Sequence, residues 1–144
     1  MIERLENVGV VVEDLDAAVA FFVGLGMELE GQAPVEGAWV DRVVGIEGLQ
    51  LDVAMVRTPD GHGRLELMRF RAPVAVDSRP DAPVHALGLR RVLFGVTDID
   101  GVVAGLRARG VRFMGEVVQY EDSHKFCYVR GPEGIIVAFV EQLG

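Results

Sequence analysis

Beyond its carboxylates, the chain offers four side chains suited by type to proton transfer, metal ligation or nucleophilic attack near neutral pH: His62, His85, His124 and Cys127. His62 follows Pro59-Asp60-Gly61, a turn signal, and reads as solvated. His85 lies in a stretch rich in Pro and Ala. His124 closes Tyr120-Glu121-Asp122-Ser123-His124, the most polar run next to an expected strand. That run reads either as a solvated loop or as a rim that delivers an acid or base, His124 or Glu121, to a cleft. Cys127 sits mid-strand among apolar residues with no helix N-terminus or base beside it in sequence, so it reads as a small buried side chain. There is no Gly-x-Ser-x-Gly, no phosphate loop and no dinucleotide glycine fingerprint, so the chemistry those motifs support finds no footing.

The composition narrows the partners. The chain has 144 residues, half of them hydrophobic and a quarter charged, which is ordinary globular composition for one domain. Its net charge of −8 opposes both nucleic acid and anionic membrane surfaces. No apolar run reaches the roughly 20 residues that cross a bilayer. The opening Met1-Ile2-Glu3-Arg4-Leu5-Glu6 is acidic and is not expected to act as a secretory leader. A lone cysteine forms no internal disulfide, which favours a reducing cytoplasm. The expected partner is a small molecule.

The elements that position these residues come from a repeat. Val8 to Gly31 laid over Val92 to Gly115, an offset of 84, gives eight identities: Val8/Val92, Val12/Val96, Asp14/Asp98, Asp16/Asp100, Val19/Val103, Ala20/Ala104, Gly26/Gly110 and Gly31/Gly115. Each copy reads as a short strand ended by Asp14 or Asp98, then a helix capped by Asp16 or Asp100 and stopped by Gly26 or Gly110. Pro59-Asp60-Gly61 and Pro132-Glu133-Gly134 mark turns between extended runs, so two hairpins are expected. A further extended stretch, Gly37 to Val44 in one half and Gly115 to Tyr120 in the other, is expected before each hairpin. The fold class is therefore α+β, two tandem βαβββ modules. The first covers residues 1–72 or so, the linker 73–88 and the second 89–144, and the two are expected to form one cleft-bearing, cooperative domain.

This order and spacing resemble the vicinal oxygen chelate superfamily, which includes glyoxalases, bleomycin resistance proteins and extradiol dioxygenases, over essentially the whole chain. Leu5-Glu6-Asn7-Val8-Gly9-Val10-Val11-Val12 is similar to the family's opening strand. Arg91-Val92-Leu93-Phe94-Gly95-Val96 is similar to its second-half counterpart, and Gly131-Pro132-Glu133-Gly134 to its closing hairpin. In both opening strands the family usually places a histidine where this chain has Asn7 and Arg91. The resemblance implies a divalent metal held by one residue from each of four strands, here Asn7, Glu66, Arg91 and Ala138. That set suits a metal badly. Glu66 is a good hard ligand, Asn7 a weak one, Arg91 a permanent cation without a lone pair, and Ala138 offers nothing. No metal or other cofactor is therefore expected, and every metal-dependent activity of the family is in doubt.

Several roles follow for the altered positions. Arg91 either replaces the metal as a structural counter-charge for Glu66 or contacts a ligand. In the second case Arg91 grips an anionic group while Asn7 gives a neutral hydrogen bond. A sharper version makes Glu66 a general base and Arg91 the stabiliser of the resulting oxyanion, as in a lyase or isomerase acting next to a carbonyl. Trp39, Met55, Met68, Phe70, Phe94, Phe126 and Tyr128 lie on expected strands and supply candidates for an apolar wall. The candidate ligand-binding residues are thus Asn7, Glu66, Arg91, Trp39, Met68, Phe70, His124, Tyr128 and Ala138, around a ligand with an anionic group and an apolar body. Three functions stay open: a metal-free binder or divergent lyase or isomerase; a metal-dependent glyoxalase or dioxygenase with ligands such as Glu66, Glu121 and His124; and an interaction module with a vestigial cleft. A homodimer is expected from the resemblance.

Overall fold

The computed structural model describes residues 1–79 and 81–144. Pro80, within the expected linker, lies outside the described residues. The chain divides into two compact units, Met1–Asp77 and Ser78–Gly144.

The first unit runs β1 (Val8–Val11), α1 (Leu15–Gly24), β2 (Glu28–Glu36), α2 (Ala38–Val44), β3 (Gln50–Arg57) and β4 (Arg64–Ala72). Its sheet has the order β1-β4-β3-β2, with β1 parallel to β4 and the other pairs antiparallel. The second unit runs β5 (Arg91–Gly95), α3 (Ile99–Ala108), β6 (Val118–Tyr120), β7 (His124–Arg130) and β8 (Ile136–Gln142). Its sheet order is β5-β8-β7-β6, with β5 parallel to β8. The expected βαβββ repeat and both hairpins are present, and α2 has no counterpart among the described residues of the second unit.

Local chemistry explains the matching helices. Asp14 is extended, and its carboxylate accepts the N–H of Ala17 at 2.9 Å. Asp98 accepts that of Gly101 at 3.1 Å. These two aspartates are the N-caps, which corrects the expectation of Asp16 and Asp100. A cap carboxylate must reach the third helical N–H, and only the residue just before Leu15 or Ile99 can do so. Asp16 and Asp100 sit instead in the first turns. Both helices end alike. Gly26 N–H bonds Val23 O and Met27 N–H bonds Phe22 O, while Gly110 N–H bonds Arg107 O and Val111 N–H bonds Leu106 O. This paired closure needs a left-handed residue, and Gly26 and Gly110 have φ of 109° and 74°.

Each sheet keeps one face for its long helix. In the first unit Ala54 and Val56 of β3 and Leu65 and Leu67 of β4 are at most 3% exposed. They alternate with half-buried Val53, Met55, Glu66 and Met68 on the other face. Helix α1 packs on β3 and β4 and buries Leu15, Ala18, Phe21 and Phe22. In the second unit α3 packs on β8 and buries Ile99, Val103 and Leu106. Phe94 stacks with Phe139 at 6.4 Å between centroids, so Phe94 belongs to the face that alternates with Arg91.

The segment 37–44, expected to be extended, is helical instead. The run Ala38-Trp39-Val40-Asp41-Arg42-Val43-Val44 is rich in residues with strand preference. Tertiary contacts override that preference. Val40 is buried with Leu49 and Leu51 in an apolar cluster that Val35, Val53, Met68 and Phe70 flank. The Asp41 carboxylate accepts the N–H groups of Gly48 and Leu49 at 2.9 and 3.0 Å, which fastens the following turn to the helix. The offset between halves falls from 84 at Gly31/Gly115 to 73 at Val56/Val129, so the first half carries 11 extra residues here. In the second half only Val118–Tyr120 of the expected stretch from Gly115 is a strand.

Candidate functional site

In the first unit the site grows from the parallel pairing of β1 with β4, which aligns Gly9 with Glu66. Asn7 lies one residue before β1, and its amide Nδ2 donates to Glu66 Oε2 at 3.3 Å. Met55 stands directly opposite Glu66 on β3, and Met68 lies two residues along β4 on the same face. A Cβ on Gly9 would lie 2.8 Å from the Met68 methyl, so the thioether packs close over the backbone here. The carboxylate thus has an amide on one side and two thioethers around it, and all four side chains are half-buried.

In the second unit Arg91 opens β5, and its Nη1 donates to the Tyr128 hydroxyl. The same guanidinium lies 5.5 Å from the Tyr128 ring centroid. Arg91 and Tyr128 sit on strands that flank β8, and Ala138 lies between them with Leu93 on one side and Tyr128 on the other. Ala138 is fully buried. Along β7, His124 and Phe126 share the face of Tyr128, with their rings 5.8 Å apart and 25° from parallel.

The other expected site residues are distributed as follows. Phe70, half-buried, packs against the apolar cluster beside α2, as Met68 does. Trp39 is on helix α2 rather than a strand and is 63% exposed. It is displaced because a helix replaces the extended stretch. His62 and His85 are exposed. Glu121 is exposed in the turn before β7. The coupling of Arg91 to Tyr128 was missed in the sequence, because it needs the register of three strands; an aromatic residue and an arginine on strands of one module were its only trace.

Within either unit alone these residues supply fewer than three ligand side chains for a divalent ion. The first unit offers one carboxylate and an amide whose nitrogen is turned to it. The second offers a cation and a methyl group at the corresponding places, and a divalent ion takes three or more donors. Among the described residues no group of three or more His, Cys, Asp and Glu could hold one, and Glu66, Glu121 and His124 form no such group.

The comparisons follow the same lines. A family model described as glyoxalase/bleomycin resistance protein/dioxygenase superfamily matches residues 6–128. The chain belongs to this superfamily. A glyoxalase family protein from Bacillus cereus is 49% identical, with 100% of this chain and 97% of that one aligned at a TM-score of 0.96. The uncharacterised Escherichia coli protein YaeR is 24% identical over 98% of both chains. TnmS3, an antibiotic binding protein from Streptomyces, shares the superfamily fold at 22% identity and a TM-score of 0.60, over 98% of this chain and 97% of that one. No helix among the described residues is long and apolar enough to cross a membrane.

Proposed function

We propose that this superfamily member binds a small molecule and works without a metal at the four family positions. The observation that carries this reading is the donor set. An arginine tied to Tyr128 and a buried alanine stand in the second unit where ligands would be needed. In the first, Glu66 is paired with Asn7. In the second unit Arg91 takes an anionic group and the Tyr128 ring an apolar part of a ligand; in the first, Glu66 and Asn7 offer hydrogen bonds beside Met55. His124 stands at the rim. The likeness to an antibiotic binding protein supports a binding role on this fold. The protein is further proposed to be a cytoplasmic homodimer. Metal analysis after purification without added ions tests the central claim, and stoichiometric nickel, zinc, manganese or iron overturns it.

A second reading gains support from the Asn7 amide, which fixes one oxygen of Glu66 as a proton-abstracting base requires. In that version Glu66 removes a proton next to a carbonyl of the ligand. Glu66→Gln separates the two. A binder keeps its affinity within about threefold, whereas an enzyme of this kind loses turnover by about a hundredfold or more with little change in binding.

A further inference from the structure

The two units present unequal surfaces. On the face of the first sheet opposite α1, the cluster around Val40 and Leu49 covers Val53, Met68 and Phe70. Among the described residues of the second unit there is no such helix, and the chain passes from β6 to β7 through residues 121–123. Its corresponding face carries a row of flat side chains. Tyr128, Phe126 and His124 alternate with Cys127 and Val129, which are 2% and 0% exposed on the α3 side. The three rings are half-buried, and Leu93 and Val118 beside them are 41% and 53% exposed. The His124 and Phe126 rings lie 5.8 Å apart, and same-face positions on a strand repeat about every 6.8 Å, so the row is roughly 13 Å long. The Arg91 guanidinium ends the row, seated against the Tyr128 ring and hydroxyl.

Charge selects what fits there. Arg57, Arg64, Arg69, Arg71 and Arg112 each pair with a carboxylate of this acidic chain. Within its own unit, and among the described residues, Arg91 pairs with none. One donor is bonded to Tyr128, while a guanidinium has five. A ligand carboxylate would find a planar, two-pronged partner already oriented by a phenol. His124 and Phe126 stack on each other and Arg91 lies over the Tyr128 ring, so the row offers ring edges, which suit the face of a flat arene better than a flexible aliphatic chain.

Resting on the binding role proposed above, we propose that the ligand is a flat aromatic anion of two or three rings. It lies along β7 with its acid group on Arg91. Tyr128 is a positioning residue for the guanidinium, and Phe126, stacked on His124, contributes an aromatic edge to the face of the ligand.

The experiment titrates the full-length protein with 2-naphthoate, naphthalene-2-carboxamide and cyclohexanecarboxylate, followed by calorimetry and backbone amide shifts. Naphthoate is expected to bind about tenfold tighter than either of the others, with shifts centred on β5, β7 and β8. Arg91→Met should weaken naphthoate about tenfold and leave the carboxamide within about twofold. Phe126→Leu should weaken both aromatic probes about threefold. If Arg91→Met fails to fold, Arg91→Lys, which keeps the charge and loses the fork, should still weaken naphthoate about fivefold. No naphthoate binding, equal affinity for the three probes, or shifts centred on β1 and β4 overturns the inference. None of these results touches the metal-free reading, which the metal content decides on its own.

Discussion

Cys127 shows how a single side chain registers its surroundings. It is 2% exposed on the α3 side of β7, and burial pushes its thiol above the ordinary value, with Arg107 pulling weakly the other way. A raised thiol pKa means that the fold favours the protonated form. That contribution is fully present below the unfolded thiol's pKa and is lost as pH rises from there toward the folded value. The native protein at pH 8 should therefore react with a disulfide reagent about a hundredfold more slowly than the urea-unfolded chain, because attack needs both the thiolate and access. Equal rates would show that the thiol is open to solvent. The same residue was legible from sequence as a buried core position, since apolar residues surround it on its strand. Arg91 was not legible in the same way. Its position came from resemblance, but its attachment to Tyr128 depends on β5 and β7 flanking β8.

At the scale of elements, the caps set the helices. Asp14→Ala removes the acceptor of the Ala17 N–H and should cost about 1 kcal/mol of unfolding free energy. Asp16→Ala, in the first turn without the cap position, should cost less than half that, since only its favourable interaction with the helix dipole is lost. Urea titration of the two variants checks the ordering, and a larger loss for Asp16→Ala would contradict the cap assignment. The helix itself was legible in sequence through its repeat and its glycine stop; the start was displaced by two residues because Asp-x-Asp offers two caps of equal chemistry. Helix α2 was not legible. It begins at Gly37, whose φ of 127° brings no side-chain cap, and its residues favour strands. Its stability comes from Val40 in the apolar cluster and from Asp41 holding the N–H groups of Gly48 and Leu49. Those contacts are made beyond the helix and leave no local signature. The hairpins were legible because alternation and Pro-Asp-Gly or Pro-Glu-Gly signal them locally, and the structure closes the first by bonding Thr58 N–H to Gly63 O at 2.8 Å.

For the whole molecule, each unit has one sheet and one long helix on one face. The opposite face leaves half-buried apolar groups, among them Met55 in the first unit and Phe126 and Val140 in the second. Units of this size bury too little apolar surface to be robust alone. Calorimetry should therefore give one endotherm whose van't Hoff and calorimetric enthalpies agree. Two resolved transitions would overturn the expectation that the modules act as one cooperative domain.

The additional helix of the first half has a historical implication. Once Val53, Met68 and Phe70 had become the oily underside of α2, trimming residues 38–44 in a single event would bare them to water. An ancestor with two like halves could gain such an insertion stepwise, but its descendants cannot easily discard it. The lopsidedness is then entrenched, and later selection for binding would fall most freely on the half that stayed bare.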